Sequence, residues 1–464
     1  MYTAKTGSNP NLASMNNAFF ADLLTSISER GRTLLRRVGS SDDPPDAADL
    51  IQLCEALLSG RGEASGTAMA REVLDRYRHL DEPERLSFFQ TLASSYGPER
   101  EKLAKAIKAW RAQPNQADAS DLHFASEPRR QELIRRLNRA PGGTGDLVEM
   151  RADLLDLMKD DKNLAALDRD VVHLLASWFN RGFLVLRRID WSTPANILEK
   201  IIRYEAVHEI RDWDDLRRRI DPVDRRCYAF FHPALVDEPL IFVEVALTEA
   251  IPGAIAPLLA EDRKPVEIEK ARTAVFYSIS NTQRGLGGIS FGNFLIKQVV
   301  EELRRELPKL EDFVTLSPVP GFISWLKTAS DIPVSDEDRT WLEHLDTPDW
   351  WTNPELESQL RAVVEPLAAY YFLKARSPKG RPIDSVARFH LGNGARLERI
   401  NWLGDTSPKG LRESAGIMVN YLYRLDDIEK NHEAYANQGE VAASSAVKKL
   451  FKGEGRRLLD MRLT

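Results

Sequence analysis

The chain has 464 residues, 43% of them apolar and 29% charged, with 64 basic and 70 acidic side chains for a formal charge of −6. That length exceeds one ordinary hydrophobic core and implies two domains. The composition excludes a disordered or fibrous chain, and the acidic balance gives no electrostatic ground for binding nucleic acid. No apolar run approaches the ~18 residues of a membrane span. Two cysteines, Cys54 and Cys227, are too few for a disulfide framework or a zinc site.

Met1 to Asn16 lacks the charged start, apolar centre and cleavage site of a secretory leader, and Arg462-Leu-Thr464 is no peroxisomal address. A cytoplasmic protein is expected. From about Asn17 to Arg188 helix follows helix. Phe19, Phe20, Leu23, Leu24 and Ile27 fall at helical spacing, as do Leu50, Leu53, Leu57 and Leu58. Helix starts are marked at Asp42-Asp-Pro-Pro45, Asp81-Glu-Pro83, Gly97-Pro98 and Ser126-Glu-Pro128. Proline suits a first helical turn because its missing N–H would have no partner there anyway. With no strict repeat period, a helical bundle is expected over residues 1–188.

Between Ile189 and Pro194 the pattern changes. Helices Ala195 to Val207 and Asp212 to Ile220 lead into strand-like runs at Arg226–Phe231, Leu240–Val245, Thr273–Ser280 and Phe313–Leu316. Further helices are expected at Trp341–Leu345 and Pro354–Ala375. Val386–His390 and Arg396–Trp402 read as a strand pair joined by Leu391-Gly-Asn-Gly394, whose Asn-Gly step signals a tight reversal. Gly439 to Leu450 reads as one more helix. Residues 189–464 are therefore expected to form a mixed α/β domain in which consecutive strands run antiparallel.

Three places in this half can carry chemistry. The strand ending at Ser280 enters a turn with Gly285, Gly287, Gly288 and Gly292, and a helix from Phe294 to about Leu307 follows. Strand, glycine turn and helix together leave backbone N–H groups free at a helix N-terminus, an arrangement suited to phosphate. A dinucleotide fingerprint is disfavoured, because Ser290 stands where its third glycine would be. Gly288-Ile-Ser-Phe-Gly292 is a literal G-x-S-x-G, and Asp384 or Asp405 with His390 follow in workable order for a hydrolase. A phosphate cradle whose serine merely offers a hydroxyl is preferred, with the hydrolase reading kept open. The second place is Ser317, which Pro318 holds extended and which Pro320 and Gly321 follow with a turn. The third is His390, read at a strand end beside the Gly-Asn-Gly turn. The histidines show no metal-ligand spacing, so no metal site is expected.

Taken in order, these segments resemble the malonyl-CoA decarboxylase family. The stretches that carry the resemblance are Phe276-Tyr-Ser-Ile-Ser280, Gly285-Leu-Gly-Gly288, Gly292-Asn-Phe-Leu-Ile-Lys297, Leu316-Ser-Pro-Val-Pro-Gly-Phe322, Phe389-His-Leu-Gly-Asn-Gly-Ala395, Arg399-Ile-Asn-Trp402 and Asn420-Tyr-Leu-Tyr423. The resemblance is dense from Arg225 to Tyr423 and looser in the helical half. It implies a helical domain (1–188) used for self-association as a homodimer or homotetramer, and a catalytic domain (189–464) with the fold of the GCN5-related acetyltransferases. It further implies that malonyl-CoA is converted to acetyl-CoA and CO2 without a cofactor. The family's serine proton acceptor maps onto Ser317 and its histidine proton donor onto His390. The acyl-CoA-binding loop maps onto Gly287, Gly288, Ile289, Ser290, Phe291, Gly292 and Asn293, and a tyrosine near the active site onto Tyr423. The family tolerates a glutamate at the place of Ser290, which argues against a nucleophile there.

That chemistry asks for an enolate-stabilising donor, a proton source and a dry site. Asp405 or Asn401 would orient His390. The rival readings are an acyl-CoA thioesterase or acyltransferase on the same fold, and a CoA-binding sensor without turnover.

Overall fold

The computed structural model describes residues 47–59, 62–112, 119–289, 295–329, 332, 334–378 and 380–451. The apolar stripe at Phe19 to Ile27, the Asp42 to Pro45 helix start, and Ser290, Phe291, Gly292 and Asn293 of the glycine turn lie outside them.

The described residues of the first half are helical, as the periodicity over them predicts. α1 (Ala47–Ser59), α2 (Glu63–His79), α3 (Glu82–Ser95), α4 (Arg100–Ala112), α5 (Ala119–Ser126), α6 (Arg129–Leu137), α7 (Gly143–Leu157) and α8 (Ala165–Trp178) follow one another. The acid-proline signal works at α3 as expected. Asp81 accepts the Glu84 N–H, the Glu84 carboxylate accepts the Asp81 N–H, and Pro83 sits in the first turn. A cap of this kind stabilises a helix by about 1 kcal/mol. Leu50, Leu57, Leu74, Phe88, Leu133, Leu154 and Leu175 are buried, and the Tyr77, Phe88 and Phe89 rings lie 5.7–5.8 Å apart.

The second half opens with β1 (Val185–Ile189), a strand that begins before the expected boundary at residue 188. Then come α9 (Ala195–Tyr204), α10 (Trp213–Ile220), β2 (Arg225–Phe231), β3 (Pro239–Thr248), α11 (Ala256–Leu259), β4 (Thr273–Asn281), α12 (Leu295–Glu306), β5 (Asp312–Thr315) and β6 (Ser317–Pro318). α13 (Phe322–Thr328), α14 (Asp336–Glu343), α15 (Pro354–Leu373), α16 (Ser385–Gly392), β7 (Arg396–Asn401), α17 (Pro408–Ser414), β8 (Met418–Leu422) and α18 (Ile428–Gln438) complete it. Residues 445–451 are also helical, and Gly439 at φ +65° ends α18. The strands form one sheet in the order β1-β2-β3-β4-β5-β8-β6, with β7 also paired to β8. A helical bundle followed by a mixed α/β domain is thus the architecture.

Two expectations are corrected. β3 and β4 are antiparallel, but β4 and β5 run parallel. The intervening α12 is the crossover that returns the chain to the same end of the sheet. Its face of Leu295, Ile296, Val299, Val300 and Leu303 is buried. Residues Val386–His390 are no strand. They belong to α16, because the Asp384 carboxylate accepts the Ala387 N–H at 2.7 Å and starts a helix there.

The chain packs as two compact units. One contains the described residues up to 185 together with 231–238 and 283–289, and the other contains the remainder. The glycine turn therefore packs with the helices. Both cysteines are free and buried, Cys54 in the first unit and Cys227 in the second. Burial pushes the Cys54 thiol up to about 12 and the Cys227 thiol well above its ordinary value.

A register shift between Glu244 and Val245 leaves Tyr277 unmatched on β4, which sets Glu244 opposite Ser278. Glu244 is fully buried, with Oε2 3.4 Å from Arg219 Nη1 and Oε1 without a partner. Arg219 is already answered by Asp215 at 3.3 Å and by the carbonyls of His208 and Glu209 at 2.7 Å each. Desolvation, with Glu205 adding repulsion, pushes the Glu244 carboxyl up to about 8, so it keeps its proton at neutral pH. The folded state then binds a proton that the unfolded chain has released above its ordinary value of 4.5. The stabilisation is complete below that value and is lost as pH rises to about 8. Buried His208, pushed down to about 4, acts with the opposite sign but is spent by its ordinary value of 6.5. Between pH 6.5 and 8, wild type should lose stability by roughly 1–2 kcal/mol relative to Glu244→Gln. Thermal melts across that window check this, and parallel slopes for the two proteins would refute it.

Candidate active site

Val314 and Leu316 pack into a hydrophobic cluster with Val275, Tyr277, Met418 and Leu422. Strand alternation turns Thr315 and Ser317 to the opposite face, and Tyr421 and Tyr423 with them. β6 pairs Ser317 with Val419 and Pro318 with Met418, so the serine has the extended backbone that the following proline demands. His390 reaches the same place from α16, whose buried stripe Ala387, His390 and Leu391 falls at helical spacing.

The structure brings these side chains into one chain of contacts. Ser317 Oγ lies 3.2 Å from His390 Nε2, and the Tyr423 hydroxyl lies 2.7 Å from Nδ1. Ser317 donates to Thr315 Oγ1 at 2.9 Å, and Thr315 Oγ1 also accepts the Tyr421 N–H at 3.1 Å. The Tyr421 ring stacks on the imidazole at 4.7 Å between centroids and 24° between planes. Ser317 and His390 are 5% and 3% exposed. Burial alone drives the imidazole down to about 3, so His390 is neutral. Because the Ser317 proton goes to Thr315, the proton between Ser317 and His390 belongs to Nε2, and Tyr423 donates to Nδ1. A neutral imidazole with Nε2–H aimed at the serine donates a hydrogen bond to it, and it places no base behind Ser317.

The residues expected to orient His390 do not do so. Asn401 donates to Asn420 Oδ1 at 2.9 Å, and Asp405 accepts the Ser407 N–H at 2.9 Å. Asn420 lies on the other face of β8 from Tyr421, which carries Asn401 away from the imidazole. Asp384 is taken up by capping α16. Among the described residues neither Asp384 nor Asp405 is hydrogen-bonded to His390, so neither acid stands behind the imidazole. Tyr423, expected near the active site, lies against the imidazole and orients it. Sequence reasoning missed Thr315 and Tyr421. Period-two alternation from Ser317 and Tyr423 would have pointed to both.

The described part of the glycine turn lies against α7. A Cβ on Gly285 would fall 1.8 Å from the Val148 carbonyl oxygen, so only glycine fits there. Gly287 and Gly288 are exposed, with Gly288 at φ +78°. Among the described residues no group of three or more His, Cys, Asp or Glu is placed to hold a metal ion, and no helix is long and apolar enough to cross a membrane.

The malonyl-CoA decarboxylase C-terminal domain family matches residues 182–461, and the N-terminal domain family matches residues 96–179. The chain is 60% identical to the crystal structure of malonyl-CoA decarboxylase from Rhodopseudomonas palustris, with a TM-score of 0.85 over 88% of this chain and 100% of that one. The enzyme from Agrobacterium vitis gives 58% identity and a TM-score of 0.83 over 87% and 99%. The mitochondrial malonyl-CoA decarboxylase of Anser anser anser is 35% identical over 91% of this chain and 89% of its own length.

Proposed function

The chain belongs to the malonyl-CoA decarboxylase family, and from that premise we propose that it releases CO2 from malonyl-CoA to leave acetyl-CoA, with Ser317 and His390 as the reacting side chains. The observation that carries the assignment of roles is the buried Ser317–His390–Tyr423 chain. The thioester carbonyl is its own electron sink, so the chemistry asks for no cofactor.

The malonyl carboxylate arrives beside a neutral imidazole in a dry site. Its charge favours the protonated ring, so binding takes up one proton at His390. Tyr423 can serve both states, donating to a bare Nδ1 and accepting from a protonated one. Ser317 contacts the malonyl carboxylate or the thioester oxygen. When the C–C bond breaks, its electrons enter the carbonyl, CO2 leaves, and an enolate remains. His390 then gives its proton to the enolate carbon and returns to neutrality, which accounts for the one proton the reaction consumes. Low solvent exposure matters because water would stabilise the starting carboxylate and weaken every contact to the enolate.

The turn with exposed Gly287 and Gly288 and buried Ile289 is assigned to the CoA diphosphate, together with Ser290, Phe291, Gly292 and Asn293, which follow in sequence. Self-association as a dimer or tetramer through the helical region is part of the same reading. In its support, α4 and α5 bury none of their residues, and Phe124 is 71% exposed. The cytoplasmic placement rests on the two free thiols.

Incubation with malonyl-CoA tests the assignment. CO2 and acetyl-CoA should appear in equal amounts with no free thiol, and Ser290→Ala should keep most of the rate. Release of free CoA that depends on Ser290 would replace this reading with a thioesterase.

A further inference from the structure

We infer that Arg151, on helix α7, is a positioning residue for substrate binding: it fixes the orientation of the Gly287–Gly288 peptide so that the Gly288 N–H faces outward to a phosphate oxygen of CoA. The inference rests on the assignment of that turn to the diphosphate. Nothing in the sequence pattern singles Arg151 out, and it lies 134 residues from Gly285.

Leu286 to Ile289 form a β-turn closed by the Ile289 N–H to the Leu286 carbonyl at 3.0 Å. Gly287 has φ −53° and ψ 132°, and Gly288 has φ +78°. These are type II values, with glycine where the positive φ is required. With glycine at both central positions, the middle peptide is free to rotate between the type I and type II arrangements, and rotation would reverse its N–H. Arg151 removes that freedom. Its Nη1 donates to the Gly287 carbonyl at 2.9 Å and to the Gly285 carbonyl at 2.6 Å. Its Nε donates to Asp168 at 2.8 Å, and the side chain is 3% exposed. The base of the turn is held on the same helix. Gly285 sits against the Val148 carbonyl, and Arg284 bonds to the Ala152 carbonyl at 3.3 Å and pairs with Asp156.

A trans peptide points its C=O and N–H in opposite directions. With the Gly287 oxygen drawn to the buried guanidinium, the Gly288 N–H points away from α7. Among the described residues it has no backbone acceptor, and none approaches within 4 Å of the place where a Gly288 Cβ would stand. By contrast, the N–H groups of Leu286, Gly287 and Ile289 are all used inside the turn. Among the described residues of the turn Gly288 is the donor left over, and Arg151 determines which way it faces.

The test compares malonyl-CoA with malonyl-pantetheine, which lacks the nucleotide and its phosphates, on wild type, Arg151→Met, Arg151→Lys and Asp168→Asn. Losing two charge-assisted bonds to the turn should lower kcat/KM for malonyl-CoA by about 10- to 100-fold in Arg151→Met. The loss should be almost wholly in KM, with the malonyl-pantetheine value unchanged. Arg151→Lys should recover part of it. Asp168→Asn, which keeps the guanidinium and loosens its anchor, should shift KM the same way by a few-fold, and it serves if the Met variant does not fold. Equal losses on both substrates, or no loss on either, overturn the proposal. If wild type uses malonyl-pantetheine as well as malonyl-CoA, the assignment of the turn to the diphosphate falls, and the role of Arg151 with it.

Discussion

Replacing His390 with glutamine is expected to lower kcat by about 10²–10⁴-fold, the range by which a positioned general acid accelerates a step, while KM changes only a few-fold. Glutamine keeps an amide N–H for Ser317 and a carbonyl for Tyr423, so packing in the site survives. It cannot take up a proton when the malonyl carboxylate binds or release one to the enolate carbon. The drop should therefore appear in CO2 release from a protein whose melting curve is unchanged. Tyr423→Phe should cost less, about tenfold. It leaves Nδ1 buried without a partner and frees the imidazole to choose the wrong tautomer, but the ring can still carry a proton. Wild-type turnover in His390→Gln would remove the histidine from the chemistry.

Ser317→Ala is the second large effect, an expected loss of about 10²–10³-fold, typical of removing one preorganised donor to a developing oxyanion. The hydroxyl sits on a two-residue strand pinned by Pro318 and by pairing to β8, so little reorganisation is needed when substrate arrives. Thr315→Val separates the roles along the contact chain. It removes the acceptor of the Ser317 proton and should cost only about tenfold, because the serine remains in place and can turn its hydroxyl to substrate. Steady-state kinetics on the two variants decide the matter. A Thr315→Val loss larger than that of Ser317→Ala would make Thr315 the working hydroxyl.

Much of this was legible in the residues. The 3.6-residue stripes gave the helices, and Asp81 with Pro83 marked the start of α3. The run Thr273–Ser280 gave a central strand, and Ser317 before Pro318 gave an extended serine. His390 was placed on the wrong kind of element. Val386–His390 alternates like a strand and Asn393-Gly394 looks like a hairpin turn, yet Asp384 caps a helix that runs to Gly392, and Asn393-Gly394 is the turn that ends it. The cap stands just ahead of the segment, and the period-two pattern is too short to outweigh it. The orienting partner of His390 was missed for another reason. Asn401 and Asp405 are close to it in sequence, but which face of a strand a residue takes depends on register, and Tyr423, one residue past the end of β8, has the required parity. The parallel β4–β5 pair and the docking of the glycine turn on α7 depend on contacts between distant residues and leave no local trace.

The two sequestered sulfurs offer a way to watch the molecule breathe. An alkylating reagent needs an ionised thiol that it can reach, and neither Cys54 nor Cys227 supplies one in the closed state. Each compact unit holds one of them. The rate at which each sulfur becomes labelled therefore clocks the transient opening of its own unit, giving two independent reporters without any engineered substitution.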